Sequence, residues 1–304
     1  MNAPERMTPT PDTPYTRRAR YFSDDNGFTF RWPPLPVRQF LAERDRAFDP
    51  NTPTGMIALD SADALGTSYP ATTPALLLRY VKIRAGEELR TNLNASGEIC
   101  YVMRGTGESR NGADSIAWGE GDMFVFGGGR ETLHKPLSGD CLLYLGTDEP
   151  LLAYDGLRAP EPGKAKVATT HWPSAEIERK LESEWQRALT DTSTGRFVQF
   201  ASEALAPSNN TLPFIVVGLN TLAVGFDQRA HRHNGVAVTL ALQGEGIYSM
   251  IDGQKVDWST GAVQITPPTT LHSHHNRGTQ RMRALIFQDE ALHYYTRTPG
   301  FSFD

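Results

Sequence analysis

One pattern of residues occurs twice in this 304-residue chain, about 140 positions apart, and it constrains the fold more than any local propensity. Gly86, Asn92, Asn94 and Gly105 precede Gly225, His231, His233 and Gly244 by 139 positions each. Trp118, Gly121 and Thr132 precede Trp258, Gly261 and His272 by 140, so one residue of loop length separates the two registers. Asp148-Glu149 and Asp289-Glu290 close the two copies in the same way. A repeat of this period predicts two tandem copies of one domain, not a solenoid of small units.

Within each copy, short apolar runs alternate with glycine-marked turns. Leu76 to Ile83, Ile99 to Met103, Met123 to Phe126 and Cys141 to Leu145 read as strands of the first copy. Phe214 to Val217, Leu222 to Gly225, Val236 to Leu242, Ile247 to Ile251, Val263 to Thr266 and Met282 to Phe287 read as strands of the second. Asp252-Gly253 predicts a hairpin turn. Between the copies, Pro173 opens a predicted helix with Ile177, Leu181, Trp185 and Leu189 on one stripe. The expected fold is all-β, two tandem jelly rolls joined by a short helix. The expected division is an N-terminal arm at 1–55, a first domain at 56–165, a linker with the helix at 166–195 and a second domain at 196–304. Val37 to Arg46 reads as a possible short helix in the arm, which is expected to dock on a neighbouring domain or subunit.

The second copy carries the chemistry. Five of the eight histidines, 231, 233, 272, 274 and 275, fall within 45 residues. Residues two apart on a strand share a face, so His231 and His233 present their imidazoles together, and His272 is placed to join them from another strand. Three neutral nitrogen ligands leave a divalent ion its charge and open positions, as a catalytic centre requires. The first copy has Asn92, Asn94 and Thr132 at these positions, poor partners for a transition metal. Its site is expected to be metal-free, although it keeps Glu98, and His134 lies two residues beyond Thr132.

The two stretches resemble the paired motifs of the cupin superfamily, G-x5-H-x-H-x3-E-x6-G and G-x5-P-x-G-x2-H-x3-N. Gly225, His231, His233, Gly244, Gly261, Pro267, His272 and Asn276 fall in register. Ala237 stands at the position of the glutamate ligand and Thr269 at that of the second motif's glycine. A ligand set of three histidines without a carboxylate resembles the gentisate, salicylate and hydroxynaphthoate dioxygenases. That resemblance implies a bicupin of double-stranded β-helix domains and a ring-cleaving dioxygenase. It implies iron(II), with manganese, nickel or zinc as other possible ions, held by His231, His233 and His272. The implied partners are dioxygen and a small anionic aromatic acid bearing hydroxyl and carboxylate groups. His272-Ser273-His274-His275-Asn276 looks like the stretch after the third ligand in those enzymes, and His274 is then an acid or base beside bound substrate. His275 is either functional in the same way or a polar loop residue.

Two features depart from that family. Thr239 occupies the position of an arginine that pairs with the substrate carboxylate, leaving Arg229, Arg281 and Arg283 as candidates for that task or as solvated surface charges, while Arg232, between two inward-facing histidines, is expected to point away. The metal-bearing copy is the second, an order that resembles the bicupin ureidoglycine aminohydrolases. This gives an alternative, a manganese- or zinc-dependent hydrolase or isomerase of a small polar metabolite. A non-enzymatic small-molecule-binding bicupin is the third reading.

Composition excludes other classes. Thirty basic against 35 acidic residues, with no basic cluster, argues against nucleic acid as a partner. No apolar run approaches the length of a membrane span, and the polar, proline-containing N-terminus lacks the apolar core of a signal peptide, so a cytoplasmic protein is expected. Cys100 and Cys141, both in apolar stretches, read as buried free thiols. Tyr294, Tyr295, Phe301 and Phe303 make an aromatic tail that is expected to pack on the first domain or another subunit, in a homodimer or larger homo-oligomer.

Overall fold

A computed structural model describes residues 12–29, 32–189, 193 and 195–304. By internal contacts the chain divides into residues 1–33 and 34–304. The first unit, where described, holds a single 3-10 turn at Thr16–Arg18.

Residues 55–172 contribute one eight-stranded antiparallel sheet. Its two longest strands, Gly97–Asn111 and Thr132–Thr147, pair along nearly their whole length through several register shifts. Such bulges bend a strand, so one strand serves both layers of the jelly roll. The second half separates the layers. A six-stranded sheet runs in the order Arg38–Gln39, Val263–Thr266, Ala237–Gln243, Met282–Gln288, Val216–Leu222, Arg196–Phe200. A five-stranded sheet runs Gln254–Asp257, Ile247–Ile251, His272–Asn276, His231–His233, Phe301–Phe303. The architecture is the expected all-β tandem, although the sheets remain open at their edges.

Alternation places the core. Val238, Leu240, Val263, Ile265, Leu285 and Phe287 are buried on one face of the six-stranded sheet and merge with Leu78, Tyr80, Ile99, Met123 and Tyr144 of the first half in one apolar cluster. Gly146 is required at this seam, because a Cβ there would lie 2.4 Å from the Phe287 ring and 2.6 Å from Leu78. The opposite face of the six-stranded sheet, with Ala237, Thr239, Gln264, Thr266 and Gln288, turns toward the second half's own interior, where the histidines lie.

Several local expectations are corrected. The helix between the halves runs Ser174–Trp185, burying Ile177 and Leu181, and ends before Leu189, which is exposed. The helix expected from Val37 starts at Leu41, because Arg38–Gln39 is taken up as an edge strand beside Val263–Thr266. The tail does not pack on the first half. Phe301–Phe303 pairs with His231–His233 in the second. Asp252-Gly253 makes the hairpin turn with φ of 45° and 83°. Cys100 and Cys141 are buried and free. Among the described residues no helix is long and apolar enough to cross a membrane.

Candidate metal centre

His231 and His233 come from one strand and pair beside His272, with His231 directly opposite it. All three are buried, and one ring nitrogen from each lies within 4.8 Å of the others. What stands behind each ring settles which nitrogen faces inward. His231 Nδ1 is 2.9 Å from the Arg229 carbonyl oxygen, His233 Nδ1 2.7 Å from that of Gly235, and His272 Nδ1 3.0 Å from that of Thr270. A carbonyl oxygen only accepts, so each Nδ1 carries the proton and each Nε2 keeps a lone pair. Burial pushes all three imidazoles below the ordinary histidine range, His233 to about 4 and His272 to about 2. They are therefore neutral and able to donate those lone pairs at physiological pH. Three convergent neutral nitrogens fit a borderline divalent metal ion.

The supports behind the three histidines are backbone segments fixed by specific side chains. Gly235 N donates to Glu290 Oε2 at 2.6 Å, and Val236 N donates to Asp289 Oδ1 at 2.8 Å. No side chain fits at Gly235, where a Cβ would meet Glu290 at 2.4 Å. The acidic pair that closes each copy thus holds the loop whose carbonyl orients His233. Thr269, at the motif's glycine position, adopts φ of 63°, a conformation uncommon for a β-branched residue. Its N–H donates to the His233 carbonyl at 2.8 Å, which ties the loop before His272 to the strand of the other two histidines.

The triad opens on a cavity of ≈ 740 Å³, lined in part by Asn220, Gln228, Thr239, Thr266 and Gln288. Gln288 Nε2 lies 3.4 Å from His233 Nε2, beside Ala237 at the position of the missing carboxylate. The cationic side chains of the lining are Arg187 and Arg196. Arg187 pairs with Glu184 at 2.9 Å, and Arg196 lies over the Trp185 ring at 4.8 Å and donates to the Arg187 carbonyl. The candidates Arg229, Arg281 and Arg283 do not line the cavity, and Arg232 is exposed between the two buried histidines. Arg283 is engaged by Glu178, Arg281 by Glu182 and the Trp185 ring, Arg229 by the Phe303 ring, and Arg232 by the Thr269 carbonyl. Arg187 lies just beyond the helix that joins the halves and Arg196 opens the edge strand Arg196–Phe200, and no motif marks either.

His274 lines the same cavity. It is buried, its pKa lowered to about 3 by desolvation. His275 faces the other way, stacked on Tyr248 with ring centroids 4.5 Å apart. Its Nδ1 meets Asp227 at 2.7 Å and its Nε2 meets Ser273 Oγ at 2.9 Å. That places it outside the cavity.

The first half differs from its expected register. Thr91, not Asn92, pairs with Thr132 as His231 pairs with His272. Asn94 bonds the backbone of Leu157 and Ala159. The space is taken by Glu98, which accepts from Thr91 Oγ1 at 2.9 Å, and by Thr132, which accepts from Asn111 Nδ2 at 2.8 Å. One unit does persist in both halves. Ser109 Oγ lies 2.8 Å from His134 Nδ1 and accepts from Trp118 Nε1, while Ser249 Oγ lies 2.9 Å from His274 Nδ1 and accepts from Trp258 Nε1.

Comparison with known proteins agrees with this geometry. Residues 218–287 match the family model of the cupin domain. Gentisate 1,2-dioxygenase from Ralstonia sp is 35% identical over 81 residues, which is 27% of this chain but only 23% of that relative's length. Among solved structures, salicylate 1,2-dioxygenase from Pseudaminobacter salicylatoxidans superposes with a TM-score of 0.75 at 11% identity, covering 93% of this chain and 92% of the other. Its adduct with gentisate gives 0.75 at 12% identity, covering 99% and 97%. The cupin 2 conserved barrel domain protein from Leptotrichia buccalis gives 0.51 at 12% identity, covering 83% and 97%. The chain is a two-domain cupin in fold, and the stretch that matches the cupin-domain model, residues 218–287, holds the histidines. It resembles the gentisate and salicylate dioxygenases.

Proposed function

We propose that this chain is an iron(II)-dependent dioxygenase that opens the ring of a hydroxylated aromatic acid of the gentisate or salicylate kind. The observation that carries the reading is the set of three neutral Nε2 donors, without a carboxylate, facing a cavity with room for an aromatic acid. In this reading residues 196–304 are the metal-binding domain, with His231, His233 and His272 as ligands. Residues 56–165 are a metal-free domain, 166–195 a linker and 1–55 an arm. When bound, iron(II) supplies open positions and redox chemistry for a chelating substrate and dioxygen.

The chain's own residues do the remainder. Three uncharged ligands leave the ion's two positive charges uncompensated, which favours a substrate whose hydroxyl and carboxylate are both anionic oxygen donors. Arg187 and Arg196 offer the cations of the cavity lining to a carboxylate, the task Thr239 cannot perform. Phe301 and Ile286 supply apolar lining against an aromatic ring. His274 contacts the substrate. The position of the triad in the second half favours one competing reading, a manganese- or zinc-dependent hydrolase or isomerase of a small polar metabolite.

The purified protein should hold about one divalent ion per chain, and a His231→Ala, His233→Ala double variant should lose it while keeping its fold. The iron(II)-loaded protein should consume oxygen with gentisate or a salicylate. If no hydroxybenzoate supports oxygen uptake while zinc or manganese supports hydrolysis or isomerisation, the dioxygenase reading falls to its competitor.

A further inference from the structure

The fourth histidine of the cavity is held by an oxygen of a different kind from those behind the ligands. Ser249 Oγ has one proton to donate and two lone pairs with which to accept. It receives the Trp258 Nε1–H at 2.8 Å and the Gln264 Nε2–H at 2.7 Å. With both acceptor sites taken, its remaining capacity is its own O–H, and His274 Nδ1 lies 2.9 Å away. A ring nitrogen that accepts a hydroxyl proton is the bare one. The neutral imidazole then carries its proton on Nε2, on the side of the ring away from Ser249, and His274 lines the cavity.

We propose that Ser249, saturated by Trp258 and Gln264, locks His274 into the Nε2–H tautomer, making it a fixed hydrogen-bond donor to an anionic oxygen of the cavity's ligand. The ligands His231, His233 and His272 have the reverse tautomer because carbonyl oxygens stand behind them. Four imidazoles in one cavity thus divide into three lone-pair donors and one proton donor. Gln264 carries the distinction. In the first half the sheet position equivalent to Gln264 is Phe124, so Ser109 keeps a free lone pair and either tautomer of His134 satisfies it. Turning the Gln264 amide the other way would strand both its N–H groups in a buried site. The orientation present pairs one N–H with Ser249 and leaves the other N–H and the carbonyl oxygen without a partner, a smaller cost than two stranded N–H groups, because an orphaned buried N–H is rarer than an under-satisfied carbonyl.

The donor role rests on the dioxygenase reading only for the identity of the ligand. The tautomer is a property of the protein alone. Long-range proton–nitrogen correlation of metal-free protein labelled with ¹⁵N-histidine, near neutral pH, should show His274 with a bare Nδ1 and a protonated Nε2. His231, His233 and His272 should show the opposite pattern in the same spectrum, with the His274 signals identified by their loss in His274→Gln. A protonated Nδ1 on His274 overturns the proposal. Gln264→Leu should convert the single pattern into a mixture of tautomers, and an unchanged pattern overturns the role given to Gln264. In zinc-loaded protein, which is redox-silent, Gln264→Leu should weaken salicylate binding about tenfold with zinc content unchanged, and undiminished binding overturns the donor role. An expected spectrum together with no oxygen uptake on any hydroxybenzoate would strike the dioxygenase reading alone.

Discussion

At the scale of single residues, Glu98 shows what the first half has made of a ligand position. It is buried, with one carboxyl oxygen bonded to Thr91 and the other without a partner. Burial raises its pKa to about 7. Because the folded carboxyl holds its proton to higher pH than the unfolded one, its contribution is fully present below the unfolded value of 4.5 and is lost as pH rises through 7. Glu98→Gln should therefore stabilise the protein on the order of 2–3 kcal/mol at pH 8, and the gain should close near pH 4. Denaturant unfolding at the two pH values checks this, and a gain that is the same at both would show that the carboxyl ionises freely. Residue identity made the convergence of the three histidines legible in the sequence, since imidazole spacing and strand periodicity are both local. The rest was not legible: the carbonyls behind them depend on loop paths, the arginines of the cavity lining carry no motif, and the serine behind His274 depends on the register of two strands, which a repeat of residues does not state. The displacement of Asn92 by Thr91 was hidden for a related reason: the repeat offsets of 139 and 140 do not say on which side of the strand the slip occurs.

At the scale of elements, the tail strand matters most. Phe301–Phe303 covers what would otherwise be the open edge of His231–His233, and the Phe301 ring stacks on His231 with centroids 5.4 Å apart. An uncovered edge would leave two ligands on a strand held from one side only. Phe301→Ala should weaken zinc binding about tenfold, or about 1.4 kcal/mol, while thermal unfolding shifts little because Phe301 is half exposed. Competition with a zinc chelator measures the first quantity, and unchanged affinity would mean the strand is mere covering. The aromatic tail was legible as something that must dock. Its pairing partner was not, since three residues carry too little alternation to specify a register.

At the scale of the molecule, the two halves share one apolar core. Tyr80 Oη donates to the Gly261 carbonyl at 2.6 Å, Tyr144 meets Phe287 edge-on with centroids 5.4 Å apart, and Arg38–Gln39 reaches past the first half to join a sheet of the second. Unfolding should accordingly be a single cooperative transition, coincident for a tryptophan probe in the first half, Trp118, and one in the second, Trp258. Phe287→Ala should destabilise both together by about 3–5 kcal/mol. Two separable transitions would show that the halves fold independently. The tandem architecture was plain from the repeat, whereas the fusion of cores was not, because residues that seal a seam follow the same alternation as residues that fill an interior.

The Ser–His–Trp unit found in both halves has a practical consequence. His134 and His274 are twins in sequence position and in two of their contacts, yet only His274 lines the cavity of the histidine triad. Every molecule therefore carries its own internal standard. A perturbation that reaches both rings reports on the scaffold as a whole, and one confined to His274 reports on the chemistry of the cavity.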